Sequence, residues 1–182
     1  MRNNIETEKL KYPIGKYVKP EPIEGIHIQE WIIEISLLPE RLRALTEDLT
    51  RDELAMRYRP GGWTIQQVVH HIADSHMNSY IRFKLSLTET SPVIKPYLED
   101  LWAQLPDSSG VRIEESLKIL EGLHARWTHL LKSLSKEELK KTFVHPERGR
   151  HITLEENIGL YAWHSNHHLA HIRLALGKQG EW

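Results

Sequence analysis

The chain has 182 residues, with 24 basic and 25 acidic side chains, a formal net charge of −1 and no cysteine. This length fits one domain with a full-sized core, and the balanced charge argues against a nucleic-acid-binding surface. The lack of cysteine excludes disulfides, thiolate nucleophiles and thiolate metal ligands.

The same features predict a cytoplasmic protein without a membrane segment. A chain without cysteine suits a reducing compartment, and the polar, acidic N-terminus does not resemble a secretory signal. No apolar run approaches the roughly 18 residues that a membrane-spanning helix needs.

The first half of the chain predicts an arm followed by two long helices. Proline and glycine punctuate residues 1–24, which predicts an extended arm packed on one domain spanning residues 25–182. A helix follows from about Gly25 to about Leu49, and Pro39 inside it predicts a kink or two abutting helices. A capping box at Thr64 starts a second helix that runs to about Thr88.

The second half predicts a loop, a hairpin and two more long helices. A loop reaching about Val111 is long enough to form a wall or lid of a site. The elements after it are a helix over about Ile113–Leu134, a small hairpin over 142–152 and a last helix from Thr153 to near Gly177. Four long amphipathic helices predict an all-α four-helix bundle.

Seven of the 12 histidines fall in two short clusters, one on the second predicted helix and one on the last. His164 and His168 are one turn apart, so their side chains can converge on one ion. His71 borders the apolar face of its helix and can supply a third ligand, whereas His70 points further round. Three neutral imidazoles with an open position are typical of a catalytic metal site. The spacing also permits a hydrogen-bonded polar layer in the bundle or a histidine-rich surface.

Other polar residues on these helices are candidates for supporting roles. Asn78 and Arg82 continue the stripe that contains His71 and could hold a substrate carboxylate, or could belong to a solvated or ion-paired face. Asp74 and Asn157 could orient the ligand imidazoles as hydrogen-bond acceptors, or could form ordinary surface hydrogen bonds. His76 lies near the apolar face and is predicted to be a buried, hydrogen-bonded ring.

Three segments together resemble one family, the YfiT-like branch of the DinB superfamily. The segments are Tyr12-Pro13-Ile14-Gly15, the run from Gly61 through Lys84, and the run from Gly159 through His168. The resemblance spans nearly the whole chain. It implies a four-helix bundle with an unusual crossover connectivity, usually a homodimer. It also implies one divalent metal ion, zinc or nickel, held by three histidines that match His71, His164 and His168.

The resemblance implies an activity less sharply than it implies a metal. Members of this branch are described as metal-dependent hydrolases, while related members resemble thiol S-transferases that join bacillithiol, mycothiol or glutathione to electrophiles. Hydrolytic HExxH helices carry a glutamate general base after the first histidine, but Ser165 follows His164 here. Thiolate attack needs less base assistance, so this difference favours thiol transfer to a small-molecule electrophile.

The alternative is a non-catalytic, metal-stabilised bundle that serves as a binding or stress-response protein. A fourth protein ligand, for instance His124 or His76, would close the coordination shell and favour that alternative.

Overall fold

A computed structural model describes residues 2–178 of the chain. Helices dominate it, with one two-stranded hairpin near the C-terminal end. In chain order the elements are α1 (Arg2–Lys11), α2 (Gly25–Thr46), α3 (Arg51–Leu54), α4 (Ile65–Thr88), α5 (Glu99–Trp102), α6 (Asp107–Gly110), α7 (Ile113–Ser133), α8 (Lys136–Leu139), β1 (Thr142–His145), β2 (Arg150–Thr153) and α9 (Leu154–Ala175).

The four long helices α2, α4, α7 and α9 confirm the predicted bundle. Local capping explains where two of them begin. At α4 the Thr64 side chain accepts from the Gln67 N–H, while the Gln67 side chain accepts from the Thr64 N–H. At α9 the Thr153 hydroxyl accepts from the N–H of Glu156.

Three local predictions need correction. The first part of the predicted extended arm is the helix α1, because residues 2–11 contain neither proline nor glycine and the breakers begin only at Pro13. The predicted loop before Val111 contains the short helices α5 and α6. Helix α2 runs without a break through the buried Pro39, so the alternative of two abutting helices is wrong, while the kink stays a prediction.

The predicted hairpin is present in the structure, and its strand β2 contacts α9. Strands β1 and β2 are antiparallel, with Phe143 opposite Ile152. Both of these side chains are buried. Gly149 has a φ of 60° in the turn, a conformation that glycine adopts at low cost.

The long helices connect diagonally across the bundle. Within the described residues, the extensive interfaces join α2 to α7 and α9, and join α4 to the same two helices. Helices α2 and α4 are therefore diagonal neighbours although they follow each other in the chain. This arrangement is the crossover connectivity that the resemblance implied.

The apolar core consists of two clusters stacked along the bundle axis. One cluster includes Phe83 and Trp127, and the other includes Ile72 and Leu120. Between them lies a layer of buried histidines, which includes His76 at 0% and His124 at 1% exposure. A polar layer therefore crosses the middle of the core. Separately, none of the helices in the described part of the chain combines the length and the apolar character needed to cross a membrane.

Gly159 on α9 is expected to be a site where alanine is not tolerated. A Cβ at this position would lie 2.5 Å from the Tyr17 hydroxyl and 2.8 Å from the Trp31 ring. Gly159→Ala should therefore lower the free energy of unfolding by about 1–3 kcal/mol, measured by urea denaturation.

The matched control is Gly122→Ala on the exposed face of α7, where a Cβ meets nothing within 4 Å. This change should raise the free energy of unfolding by about 0.5–1 kcal/mol, because alanine restricts the unfolded chain and favours the helix. Equal effects at both glycines would contradict the packing of Tyr17 and Trp31 on α9.

Candidate metal centre

His71, His164 and His168 come together in the structure. One ring nitrogen from each lies within 4.8 Å of those of the other two. His71 is on α4, while His164 and His168 are one turn apart on α9. His71 and His168 are buried and His164 is partly buried. In contrast, His70 turns toward α7, where its Nδ1 lies 2.8 Å from the Ser116 hydroxyl. The predicted preference for His71 over His70 is therefore visible in the geometry.

The spacing of the three inner nitrogens fits a metal ion. The Nε2 atom of His164 lies 3.3 Å from Nε2 of His71 and 3.1 Å from Nε2 of His168. Two nitrogens bound at about 2.0–2.1 Å to one tetrahedral zinc ion lie roughly 3.3 Å apart. The three rings are thus arranged as ligands of a single divalent ion would be.

Burial keeps these three rings neutral, which is the state that binds metals. Burial, reinforced by His167 and His171, lowers the pKa of His71 to about 3. Burial also lowers the pKa values of His164 and His168 well below the ordinary range, with His71 among the neighbours that add to the effect. Because a protonated imidazole has no free lone pair, this environment favours coordination.

The outer nitrogens of His164 and His168 contact other histidines. Nδ1 of His164 lies 3.1 Å from Nε2 of His76, and Nδ1 of His76 lies 3.0 Å from Nε2 of His124. Nδ1 of His168 lies 3.3 Å from Nδ1 of His171. The prediction of His76 as a buried, hydrogen-bonded ring is confirmed.

For His164 and His168 these contacts do not include Asp74 or Asn157, so the orienting alternative is wrong for these two rings. The Asn157 side chain donates to the Ser79 hydroxyl at 3.0 Å, further along the helix pair. Asp74 is near Asp107. Partial burial, and to a smaller extent the negative charge of Asp107, raise the pKa of Asp74 to about 6. The sequence could not identify His76 and His171 as the partners of these nitrogens, because such contacts depend on which helices are neighbours.

The two candidates for binding substrate, Arg82 and Asn78, have different surroundings. Arg82 lines the same cavity as the three histidines, and the cavity has a volume of about 1000 Å³. Asn78 instead donates to the Asp74 carbonyl one turn back on α4, at 2.9 Å. The predicted loop contributes Tyr97 and Asp100 to the cavity lining, so it forms a wall of the site as expected.

The buried histidines predict how stability depends on pH in the metal-free protein. Burial lowers the pKa of His71 to about 3 and those of His124 and His171 to about 4. The unfolded chain, with histidine pKa near 6.5, binds protons first as the pH falls. The free energy of unfolding should therefore be constant above about pH 7 and fall below about pH 6.5, by up to about 1.4 kcal/mol per pH unit for each ring.

Urea denaturation of chelator-treated protein at a series of pH values measures this slope. His129→Gln changes an exposed ring on α7 and should leave the slope as it is, whereas His124→Gln should reduce it. A profile without any slope between about pH 6.5 and pH 5 would contradict the buried neutral cluster.

Comparison with known proteins places the chain among proteins of the same architecture. The sequence profile of the DinB superfamily matches residues 34–172. A Bacillus cereus (strain 03BB102) protein, provisionally named a metal-dependent hydrolase, is 54% identical over 173 residues, which cover 95% of this chain and 98% of the relative. A Bacillus anthracis (strain A0248) protein with the same provisional name is 53% identical over 173 residues, with the same coverage of both chains.

A solved structure shows the same fold. YfiT from Bacillus subtilis, described as a probable metal-dependent hydrolase with an unusual four-helix bundle topology, has 48% sequence identity to this chain. The two superpose with a TM-score of 0.91, covering 94% of this chain and 98% of YfiT. The family match, the identities and the shared bundle agree with the resemblance in the sequence, and the chain belongs to the DinB superfamily.

Proposed function

We propose that this chain is a metal-dependent enzyme acting on an electrophilic small molecule. His71, His164 and His168 hold one divalent ion, zinc or nickel, at the wall of the cavity. The observation that carries the proposal is the convergence of three neutral rings, whose nitrogens all lie within 4.8 Å of one another and in which Nε2 of His164 is 3.3 Å from that of His71 and 3.1 Å from that of His168. The names given to the relatives in Bacillus cereus and Bacillus anthracis support the same class of activity.

The coordination set supports an enzyme over a purely structural metal site. His76 and His124, the two candidates for a fourth ligand, use their facing nitrogens to contact each other. Among the described residues, the candidate metal group contains three side chains, all histidines. Three protein ligands leave a position for water or substrate, as in catalytic zinc sites, whereas structural sites are closed by four.

The surroundings of the three histidines favour a thiol as the nucleophile. A divalent ion bound here would supply Lewis acidity, which makes water or a thiol nucleophilic near neutral pH. Ser165, in the position of the hydrolytic glutamate, is buried and donates to the Tyr161 carbonyl at 2.8 Å. It is therefore not placed as a base, and a thiol such as bacillithiol needs a base less than water does.

Hydrolysis is the second candidate function. The cavity lining includes the carboxylates of Glu99, Asp100 and Glu147, any of which could accept a proton from water. The relatives' provisional names as hydrolases also favour this reaction.

Arg82 is proposed as the group that binds a substrate carboxylate. It lines the cavity, and within the described residues no carboxylate forms a salt bridge with it. Its guanidinium is therefore available for an anionic group, which it can bind through two parallel hydrogen bonds. Asn78 is not assigned this role, because its amide bonds to the backbone of α4.

His168→Ala tests the ligand set. Removing one of three ligands should abolish both stoichiometric zinc after dialysis and turnover, because two imidazoles do not hold the ion. Metal content is measured by mass spectrometry of the purified protein. His129→Ala, an exposed position on α7, is the control and should retain one ion per chain. Stoichiometric metal in the His168→Ala protein would contradict the assignment.

A single substrate can separate thiol transfer from hydrolysis. The zinc-loaded protein is incubated with an electrophile that carries both a displaceable halide and a hydrolysable ester, with and without bacillithiol. We expect a thioether conjugate that forms faster with the protein than without it, identified by mass. The His168→Ala protein gives the uncatalysed background. Ester cleavage at a rate that the thiol does not change would instead establish hydrolysis.

A further inference from the structure

Two main-chain carbonyls near the site lack a helical N–H partner. Ile35 on α2 lies four residues before Pro39, and proline has no N–H to bond the Ile35 carbonyl. Lys11 is the last residue of α1, and the final carbonyls of a helix have no partner within it. A histidine ring nitrogen lies within hydrogen-bond distance of each of these carbonyl oxygens. Nδ1 of His124 lies 2.7 Å from the Ile35 oxygen, and Nε2 of His171 lies 3.1 Å from the Lys11 oxygen.

The Ile35 carbonyl sets the direction of a chain of hydrogen bonds. A carbonyl oxygen only accepts, so Nδ1 of His124 must carry the hydrogen, and Nε2 of this neutral ring must accept. His76 therefore donates from Nδ1 to His124, at 3.0 Å, and accepts at Nε2. His164 donates from Nδ1 to His76, at 3.1 Å. The lone pair of His164 is consequently on Nε2, the nitrogen that faces His71 and His168.

The Lys11 carbonyl does the same for the second ligand on α9. Nε2 of His171 donates to this carbonyl, which leaves Nδ1 of His171 as an acceptor. His168 then donates from its Nδ1 to that atom, across 3.3 Å. The lone pair of His168 is also on Nε2.

The two chains bring two lone pairs face to face. Nε2 of His164 and Nε2 of His168 are 3.1 Å apart, and neither carries a hydrogen to bond the other. Two such acceptors repel each other unless a cation, or a donor molecule such as water, lies against both lone pairs. The two fixed tautomers are therefore the ones that an ion at this position requires.

We propose that His76, His124 and His171, together with Pro39, are positioning residues that fix His164 and His168 as the metal-binding tautomers. The proposal rests on the three-histidine metal site of the proposed function. Pro39 acts by leaving the Ile35 carbonyl without a helical N–H donor. The hydrogen bonds from His124 to this carbonyl, from His76 to His124 and from His164 to His76 then all have the same direction. In metal sites, groups that orient ligand imidazoles typically contribute 10–100-fold to metal affinity.

Zinc affinity of matched variants tests the proposal. It is measured by competition with a chromophoric chelator. His124→Leu and His171→Leu each remove one chain and should weaken zinc binding by about 10–100-fold. His124→Gln keeps a donor and an acceptor on one side chain and should recover most of that loss. His129→Gln on the same helix is the control and should bind zinc as the unmodified chain does. Unchanged affinity in both folded leucine variants would overturn the proposal.

Pro39→Ala tests the origin of the longer chain without changing any histidine. Alanine supplies an N–H that would share the Ile35 carbonyl with His124 and so weaken the hydrogen bond from Nδ1 of His124. We expect an intact fold with zinc affinity lowered several-fold. Affinity equal to that of the unmodified chain would remove Pro39 from the proposal.

Tautomers measured in the unmodified protein decide the matter even if the leucine variants do not fold. Nitrogen-15 spectra of the imidazoles, recorded on metal-free protein at mildly alkaline pH, distinguish Nδ1–H from Nε2–H rings. We expect Nδ1–H at His76, His124, His164 and His168, and Nε2–H at His171. An Nε2–H form at His76 or His124 would overturn the proposal.

The two proposals fail in different ways. If the unmodified protein binds zinc and the leucine variants bind it equally well, the tautomer proposal fails and the metal site stands. If the unmodified protein binds no zinc, the metal site fails, while the spectra of the metal-free protein still report the tautomers.

Discussion

A chain of hydrogen bonds between buried histidines crosses the middle of the bundle and ties its four long helices together. An unpaired polar atom in an apolar core costs roughly 1–3 kcal/mol. The chain takes one group from each long helix: the Ile35 carbonyl on α2, His124 on α7, His76 on α4 and His164 on α9. The four helices must therefore keep one axial register, because sliding any of them would break a link.

The N-terminal segment belongs to the same arrangement. The Lys11 carbonyl accepts a hydrogen bond from Nε2 of His171, and the Trp163 indole N–H donates to the Gly15 carbonyl at 3.1 Å. A few residues further on, Tyr17 packs where Gly159 leaves room. Residues before α2 thus contact α9 at three positions along its length, Gly159, Trp163 and His171, and α9 carries two of the three candidate ligands. Their packing and the ligand geometry are physically connected.

Much of this could be predicted from local sequence, and the rest depended on which helices are neighbours. The 3.6-residue period was enough to choose His71 over His70 and to pair His164 with His168. Periodicity carries no information on which helix faces which, so Asp74 and Asn157 were candidate partners of the ligand imidazoles, whereas the structure places His76 beside His164 and His171 beside His168. Pro39 shows the limit most clearly: it predicted a kink or two abutting helices, but nothing in the local sequence indicated that the Ile35 carbonyl would bond His124 on another helix.

The diagonal connectivity has a consequence for how the chain folds. In an up-and-down bundle each helix packs on the next one, so successive helical hairpins form early through local contacts. Here α4 and α7 are the consecutive pair of long helices with an extensive interface, while α2 packs on α7 and α9. Packing α2 on α7 and α9 closes long loops of the chain. The entropic cost of this closure must be met before the new contacts can offset it. We therefore expect the histidine layer to form late in folding, after α2 has docked on α7 and α9.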